Sequence, residues 1–327
     1  MTLSRKHFLS LALGSAGAAA LSRPGLAQAQ AAATIMSRIK YATLGAPDLA
    51  AVEEAYTKWL GHTVVERSTV SETMAKSWGT PKMTGRPFVL MRPMSSEDVM
   101  IRAVETEPSP GYKPMTTLGW NAFEIIVDDV DDLHSRLMED SPFEHIGGPE
   151  NLGGGSSIRA SQYIGPAGEV LYFNCETGDR EASNLPLPGE DVGRTNIVIL
   201  ASKDLDETMP IYRAAFGLGQ GFVMPTPNTL VADAQGLAGG AMFRLGFITL
   251  RERGNAIHFD EYTDGSAPRQ AADGMLPQAC AIVSFNVDNL DAVNADFIAD
   301  PISEYQGRSA VFKGPAGELV ELIEADR

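Results

Sequence analysis

Four side chains in this sequence have the types and surroundings that acid-base chemistry needs: Tyr41, Tyr172, His258 and Glu321. Glu321 stands between Leu319-Val320 and Leu322-Ile323. An apolar run of that kind implies burial, and a buried carboxyl can take up a raised pKa and act as acid or base near neutral pH. His258 alternates with Asp260 and Tyr262, so on a strand the three share one face and a carboxylate can orient the imidazole. The phenols of Tyr41 and Tyr172 are candidate proton donors to a developing oxyanion. Each has a plainer reading: core tyrosines with their hydroxyls at a rim, a carboxylate at a strand end, a histidine on a wetted sheet face.

By strand alternation, Ala122 shares its face with Trp120 and Glu124, and Tyr172 shares its face with Asn174. Trp120, Glu124 and Asn174 are therefore expected to line a pocket with Tyr41 and Tyr172. Arg102 interrupts the run Val99-Met100-Ile101 and is expected either to hold an anionic ligand or to form a buried pair with Glu124. Gly153-Gly154-Gly155-Ser156 lacks the Lys-Ser/Thr ending and following helix of a phosphate loop, so a hairpin is the better account.

The elements that must position these residues recur along the chain. Gly165-Pro166-Ala167-Gly168-Glu169 returns 149 residues on as Gly314-Pro315-Ala316-Gly317-Glu318. Asp48-Leu49 with Tyr56 returns 156 residues on as Asp204-Leu205 with Tyr212. Ile125 to Asp131 and Phe285 to Asp291 share a strand that ends in acidic helix-start residues. In the first unit Ile39 to Leu44 reads as a strand, Asp48 as an N-cap, and Leu49, Val52, Tyr56, Trp59 and Leu60 as one helix face closed by Gly61. Units starting near Asn121, Thr195 and Ala281 repeat the pattern, with helices expected over 205–216 and 290–298. The fold class is α+β, built from four βαβββ units.

A strand ending in Asp-Leu, a helix ending near an aromatic and Gly, and a later Gly-Pro-x-Gly strand resemble the vicinal oxygen chelate superfamily, which holds glyoxalase I, extradiol dioxygenases and bleomycin-binding proteins. The resemblance spans roughly residues 38–324 and implies two tandem glyoxalase-like half-barrel domains, 36–176 and 194–327, joined by a linker over 177–193. It also implies where a metal would be held: a His seven residues before the helix-start Asp, and a Glu on the last strand. The matching residues here are Tyr41 and Ile197 on the first strands, with Ala122 and Ile282 comparable in the other units, and Tyr172 and Glu321 on the last strands. Only Glu321 is a ligand type. No cofactor is therefore expected, and a divalent metal, were one bound, would take Glu321 and His258.

The resemblance leaves three readings of function. The first is a small-molecule-processing enzyme doing isomerase, lyase or hydrolase chemistry on an aromatic or carbonyl compound. The second is a non-catalytic binding protein of the resistance type, and the third a metal-dependent dioxygenase or lactoylglutathione-lyase-like enzyme with shifted ligands.

The bulk properties narrow the partners. A net charge of −16 opposes nucleic-acid binding, so the expected partner is a small molecule, with a homodimer as a further expectation. Residues 1–35 read as a leader: Arg5-Lys6 resembles a twin-arginine start, Leu9 to Leu21 is apolar, and Ala27-Gln28-Ala29 offers a cleavage site. Export machinery is then a partner and the periplasm or the outside the destination, unless Met36 is the true start and the protein stays in the cytoplasm. The apolar stretch is shorter than the ~20 residues a bilayer needs, so no stable membrane insertion is expected. Cys175 and Cys280 are expected as buried thiols.

Overall fold

The structure is a computed structural model and describes residues 35–324 apart from 154–155, 239, 263–264 and 306. The leader expected over 1–35 lies, but for its last residue, outside the described residues. Among the described residues no helix is long and apolar enough to cross a membrane.

Four units are present. The first comprises β1 (Met36–Ala46), α1 (Leu49–Trp59), β2 (Thr63–Thr69), α2 (Glu72–Ser77), β3 (Pro87–Arg92) and β4 (Met100–Glu105). The second comprises β5 (Gly119–Val127), α3 (Val130–Asp140), β6 (Glu144–Asn151), β7 (Ile158–Ile164) and β8 (Val170–Glu176). The third runs through β9 (Val192–Ser202), α4 (Leu205–Phe216), β10 (Phe222–Pro227), α5 (Thr229–Ala234), β11 (Met242–Thr249) and β12 (Ala256–Glu261). The fourth has β13 (Ala279–Val287), β14 (Ile302–Tyr305), β15 (Gly307–Lys313) and β16 (Leu319–Glu324).

The chain turns from strand to helix by the same device each time. Asp48 accepts from Ala51 N, Asp129 from Asp131 N and Asp132 N, and Asp204 from Asp206 N and Glu207 N. These carboxylates satisfy first-turn amides that have no partner within the helix. Asn289 does the same for Asp291 N, but the helix expected over 290–298 is a single 3₁₀ turn, Leu290–Ala292. Val293 and Asn294 are poor helix formers, and the segment is drawn to the sheet instead: Ile298 N donates to Val311 O and Phe297 bridges Phe312.

Two eight-stranded sheets result, ordered β14-β15-β16-β13-β1-β4-β3-β2 and β10-β11-β12-β9-β5-β8-β7-β6. In each unit the first and last strands pair in parallel. The units then join through their first strands, antiparallel: β1 with β13 and β5 with β9. The first cup-shaped sheet thus combines units one and four, and the second combines units two and three, so each cup draws on both sides of the segment 177–191. Trp120 of β5 meets Phe285 of β13 at 6.1 Å between ring centres, which fastens one sheet to the other. Cys175 and Cys280 are buried and unbridged.

The repeated Gly-Pro-Ala-Gly-Glu turns have a physical purpose. Tyr56 of α1 donates to Glu169 Oε1 at 3.0 Å, and Tyr212 of α4 donates to Glu318 Oε1 at 2.7 Å. Ala167 N donates to the other Glu169 oxygen. A Cβ at Gly165 or Gly314 would overlap the carboxylate of its own turn, and Gly168 and Gly317 hold φ of +82° and +87°. Both glycines of the motif are thus required, the first by close approach and the second by the left-handed backbone. Burial drives the carboxyls of Glu169 and Glu318 up to about 7 from an ordinary 4.5.

A carboxyl whose pKa is raised by folding stabilises most when protonated. This contribution is complete below about pH 4.5 and is lost as pH rises through about 7. Melting temperature measured across that window should fall more steeply for the wild type than for Glu169→Gln or Glu318→Gln. Tyr56→Phe, which removes the donor to a buried carboxyl, should cost about 1–3 kcal/mol in urea unfolding. Parallel pH curves for wild type and both Gln variants would contradict the assignment.

Candidate functional site

The strand register sets a matched group of positions on the floor of each cup. In the first, Tyr41 lies opposite Ser284, Ser284 opposite Glu321, and Arg102 opposite Thr43. In the second, Ile197 lies opposite Glu124, Glu124 opposite Tyr172, and His258 opposite Ile199. Arg102 and His258, 156 residues apart, therefore hold one position in the two cups, as do Glu321 and Tyr172.

The first cup is closed on itself. Arg102 Nη2 donates to Glu321 Oε2 at 2.9 Å and Arg102 Nε to Thr43 Oγ1 at 3.0 Å. Trp78, just past α2, donates its indole N–H to Glu321 Oε1 at 3.0 Å, and Ser284 donates to Glu321 Oε2. The guanidinium lies between the rings of Tyr41 and Trp78, 5.2 and 4.9 Å from their centres. Arg102, Trp78 and Glu321 are each 1% exposed. Burial by itself would raise the Glu321 carboxyl, but the Arg102 charge and the hydrogen bonds from Ser284 and Trp78 hold it below its ordinary value. The expectation of a raised pKa at Glu321 is thereby corrected: sequence showed the burial and not the partners. Burial pushes the Tyr41 phenol up to about 12. Arg102 pairs with Glu321 and not with Glu124, because Glu124 belongs to the other sheet.

The second cup is more open and its charges are arranged differently. His258 Nε2 meets Asp260 Oδ1 at 3.1 Å, and Nδ1 lies 3.5 Å from Glu124 Oε1. Burial disfavours the charged ring, but the Asp260 and Glu124 carboxylates outweigh it and raise the imidazole to about 10, so His258 is an imidazolium at neutral pH. Asn174 donates to Glu124 Oε2 at 2.8 Å. Tyr172, half-buried, makes no hydrogen bond among the described residues; burial, with Asp260 and Glu124 adding to it, keeps its phenol protonated. Phe247 lies opposite His258 and Phe222 opposite Phe247, stacked at 5.7 Å, so an aromatic wall flanks the charged group.

Several expectations change. Tyr41 and Tyr172 do not share a pocket, since their units pair with units four and three respectively. Trp120 is off the cup: an irregularity between Trp120 and Ala122 turns it inward, where its indole donates to Leu319 O at 2.8 Å. Glu321 and His258, paired in the expectation for a metal, lie in different sheets and are bound to different partners. Among the described residues no group of three or more His, Cys, Asp or Glu is arranged to hold a metal ion. In the first cup a protein cation, Arg102, takes the central place, and in the second both His258 nitrogens face carboxylates. Sequence reasoning passed over Trp78, although Ser71-Glu72 signals a helix start and Val70, Met74 and Trp78 recur at helical spacing.

No family model matches the chain, and no curated protein matches it by sequence. Solved structures do. Glyoxalase I from Zea mays matches over 88% of this chain and 92% of its own, at 14% identity and a TM-score of 0.59. A putative dioxygenase from Bacillus subtilis matches over 90% of this chain and 87% of its own, at 13% identity and the same TM-score. At such identities the likeness is one of fold: the chain has the two-sheet α+β fold of glyoxalase I.

Breaking a buried ion pair from one side leaves the other charge stranded, at about 3–5 kcal/mol. Arg102→Ala should therefore lower stability by about that amount in urea unfolding, and Arg102→Met with Glu321→Leu together should recover most of the loss. The Glu321 contribution, from a depressed pKa, is present above about pH 4.5 and lost as pH falls. A cost below about 1 kcal/mol for Arg102→Ala would show that the pair is not what closes this cup.

Proposed function

We propose that the protein is a small-molecule-processing enzyme whose second cup performs acid-base chemistry, of isomerase or lyase type, on a carbonyl-bearing or aromatic compound. The observation that supports this most is the juxtaposition of Tyr172, a phenol with no hydrogen bond among the described residues, with the Glu124 carboxylate and the His258 imidazolium. A substrate carbonyl oxygen would accept from Tyr172. Glu124, oriented by Asn174, would take a proton from the neighbouring carbon and return it to the next one, while Tyr172 steadies the developing oxyanion. His258 is charged and committed to two carboxylates, so its part is electrostatic, and Asp260 is a positioning residue. Tyr41, Arg102 and Glu321, in the first cup, would hold the sheet and take no part in the reaction.

A second reading, a non-catalytic small-molecule-binding protein, is favoured by the stack of exposed Phe222 on half-buried Phe247, which supplies affinity without chemistry. Exchange of carbon-bound hydrogen for deuterium separates the two. A panel of aryl ketones in heavy water, followed by proton NMR, should show exchange next to the carbonyl with wild type, slowed about a hundredfold or more by Glu124→Gln and Tyr172→Phe. Asp260→Asn should bring the alkaline limb of the profile down from about 10 towards the ordinary histidine value of 6.5. Ligand binding without exchange on any ketone would favour the second reading. From the leader alone we also propose export, which N-terminal sequencing of the mature protein would test.

A further inference from the structure

The two cups share positions but differ in charge balance and closure. In the first, one cation, Arg102, meets one carboxylate, Glu321, and the indole of Trp78 covers both. In the second, one cation, His258, meets two carboxylates, Glu124 and Asp260, leaving an excess of one negative charge. The same two carboxylates are the charges that act on Tyr172. At the place of Trp78, the residue that caps the C-terminus of α5 is Gln235, and its amide reaches the Met115 carbonyl. The consequence shows in exposure: the Arg102 side chain is 2% exposed and the His258 side chain 15%.

Beside this charge stands the aromatic wall. Phe247 is half-buried, and Phe222, on the edge strand, is 52% exposed. Register places Phe222, Phe247 and His258 on one face. A flat apolar ligand would cover the ring pair and withdraw it from water. An anion placed beyond it would meet an unbalanced carboxylate in a cup where screening by water is weak.

We infer that each chain has one ligand site, the second cup, and that it selects an uncharged or cationic aromatic molecule and rejects an anionic one. This rests on the second cup being the reactive one, but its test reads binding and not turnover. Naphthylmethanol, naphthylmethylammonium and naphthoate share one ring system and differ in charge. Titrated calorimetrically into the full chain at neutral pH, the alcohol and the ammonium should bind and the carboxylate should bind about tenfold more weakly or worse. Glu124→Gln or Asp260→Asn, each removing one negative charge, should raise naphthoate affinity about tenfold relative to the alcohol. Phe247→Ala should weaken the alcohol and the ammonium, and Trp78→Phe, in the other cup, should leave both unchanged. Naphthoate binding as tightly as the alcohol, two molecules bound per chain, or no binding by any of the three overturns the inference. Selective binding with no deuterium exchange would remove the catalytic reading and leave this one standing, while exchange confined to anionic ketones would do the reverse.

Discussion

A charge on the floor of an apolar sheet must be neutralised by a neighbour, and both cups are organised by that requirement. Desolvating a lone guanidinium or carboxylate is too costly for a domain of ordinary stability, so each arrives with its partner. Arg102 brings Glu321 together from opposite ends of the chain, and His258 brings Glu124 and Asp260 together across two units. The exchange of units between halves is what makes these pairs meet.

The buried tyrosine-glutamate bonds complement this exchange. Sheet pairing joins unit one to four and two to three, whereas Tyr56–Glu169 joins one to two and Tyr212–Glu318 joins three to four. The two kinds of link alternate around a closed ring, so no unit can leave without breaking contacts on two sides. The duplicated sequence motifs are the two ends of these bonds. A Tyr on the first helix and a Glu after Gly-Pro-Ala-Gly are both present twice because each is half of one interaction.

This explains what could be read in advance. Element type and order follow from local chemistry: Asp48, Asp129 and Asp204 as caps, and the glycine turns. The fourth helix could not be recognised as absent, because Asn289 caps normally and the pull of Phe312 on Phe297 is tertiary. Parity put Glu124 and Asn174 on a pocket-facing side and His258 on one face with Asp260 and Tyr262, and it misplaced Trp120 because one bulge reverses alternation. Which cup each residue joins was beyond sequence, since it depends on β1 choosing β13 and β5 choosing β9. The pKa direction at Glu321 was likewise hidden, since it depends on an arginine 219 residues away.

Duplication makes the remaining difference between the cups informative. Each holds a cation on the last strand of an odd-numbered unit, Arg102 or His258, with a carboxylate and a phenol near it. The carboxylate and the phenol stand at different positions: Glu321 occupies the position of Tyr172, while the first cup has its phenol at Tyr41, matched by Ile197, and the second its carboxylate at Glu124, matched by Ser284. Chemical inventory alone therefore does not distinguish the two cups. What separates them is one aromatic side chain after α2: Trp78 takes up the second oxygen of Glu321 and covers Arg102, whereas the residue after α5 is Gln235, whose amide reaches the Met115 carbonyl. The polar groups of the first cup are taken up by one another, and the cup around His258 keeps a phenol with no hydrogen bond among the described residues.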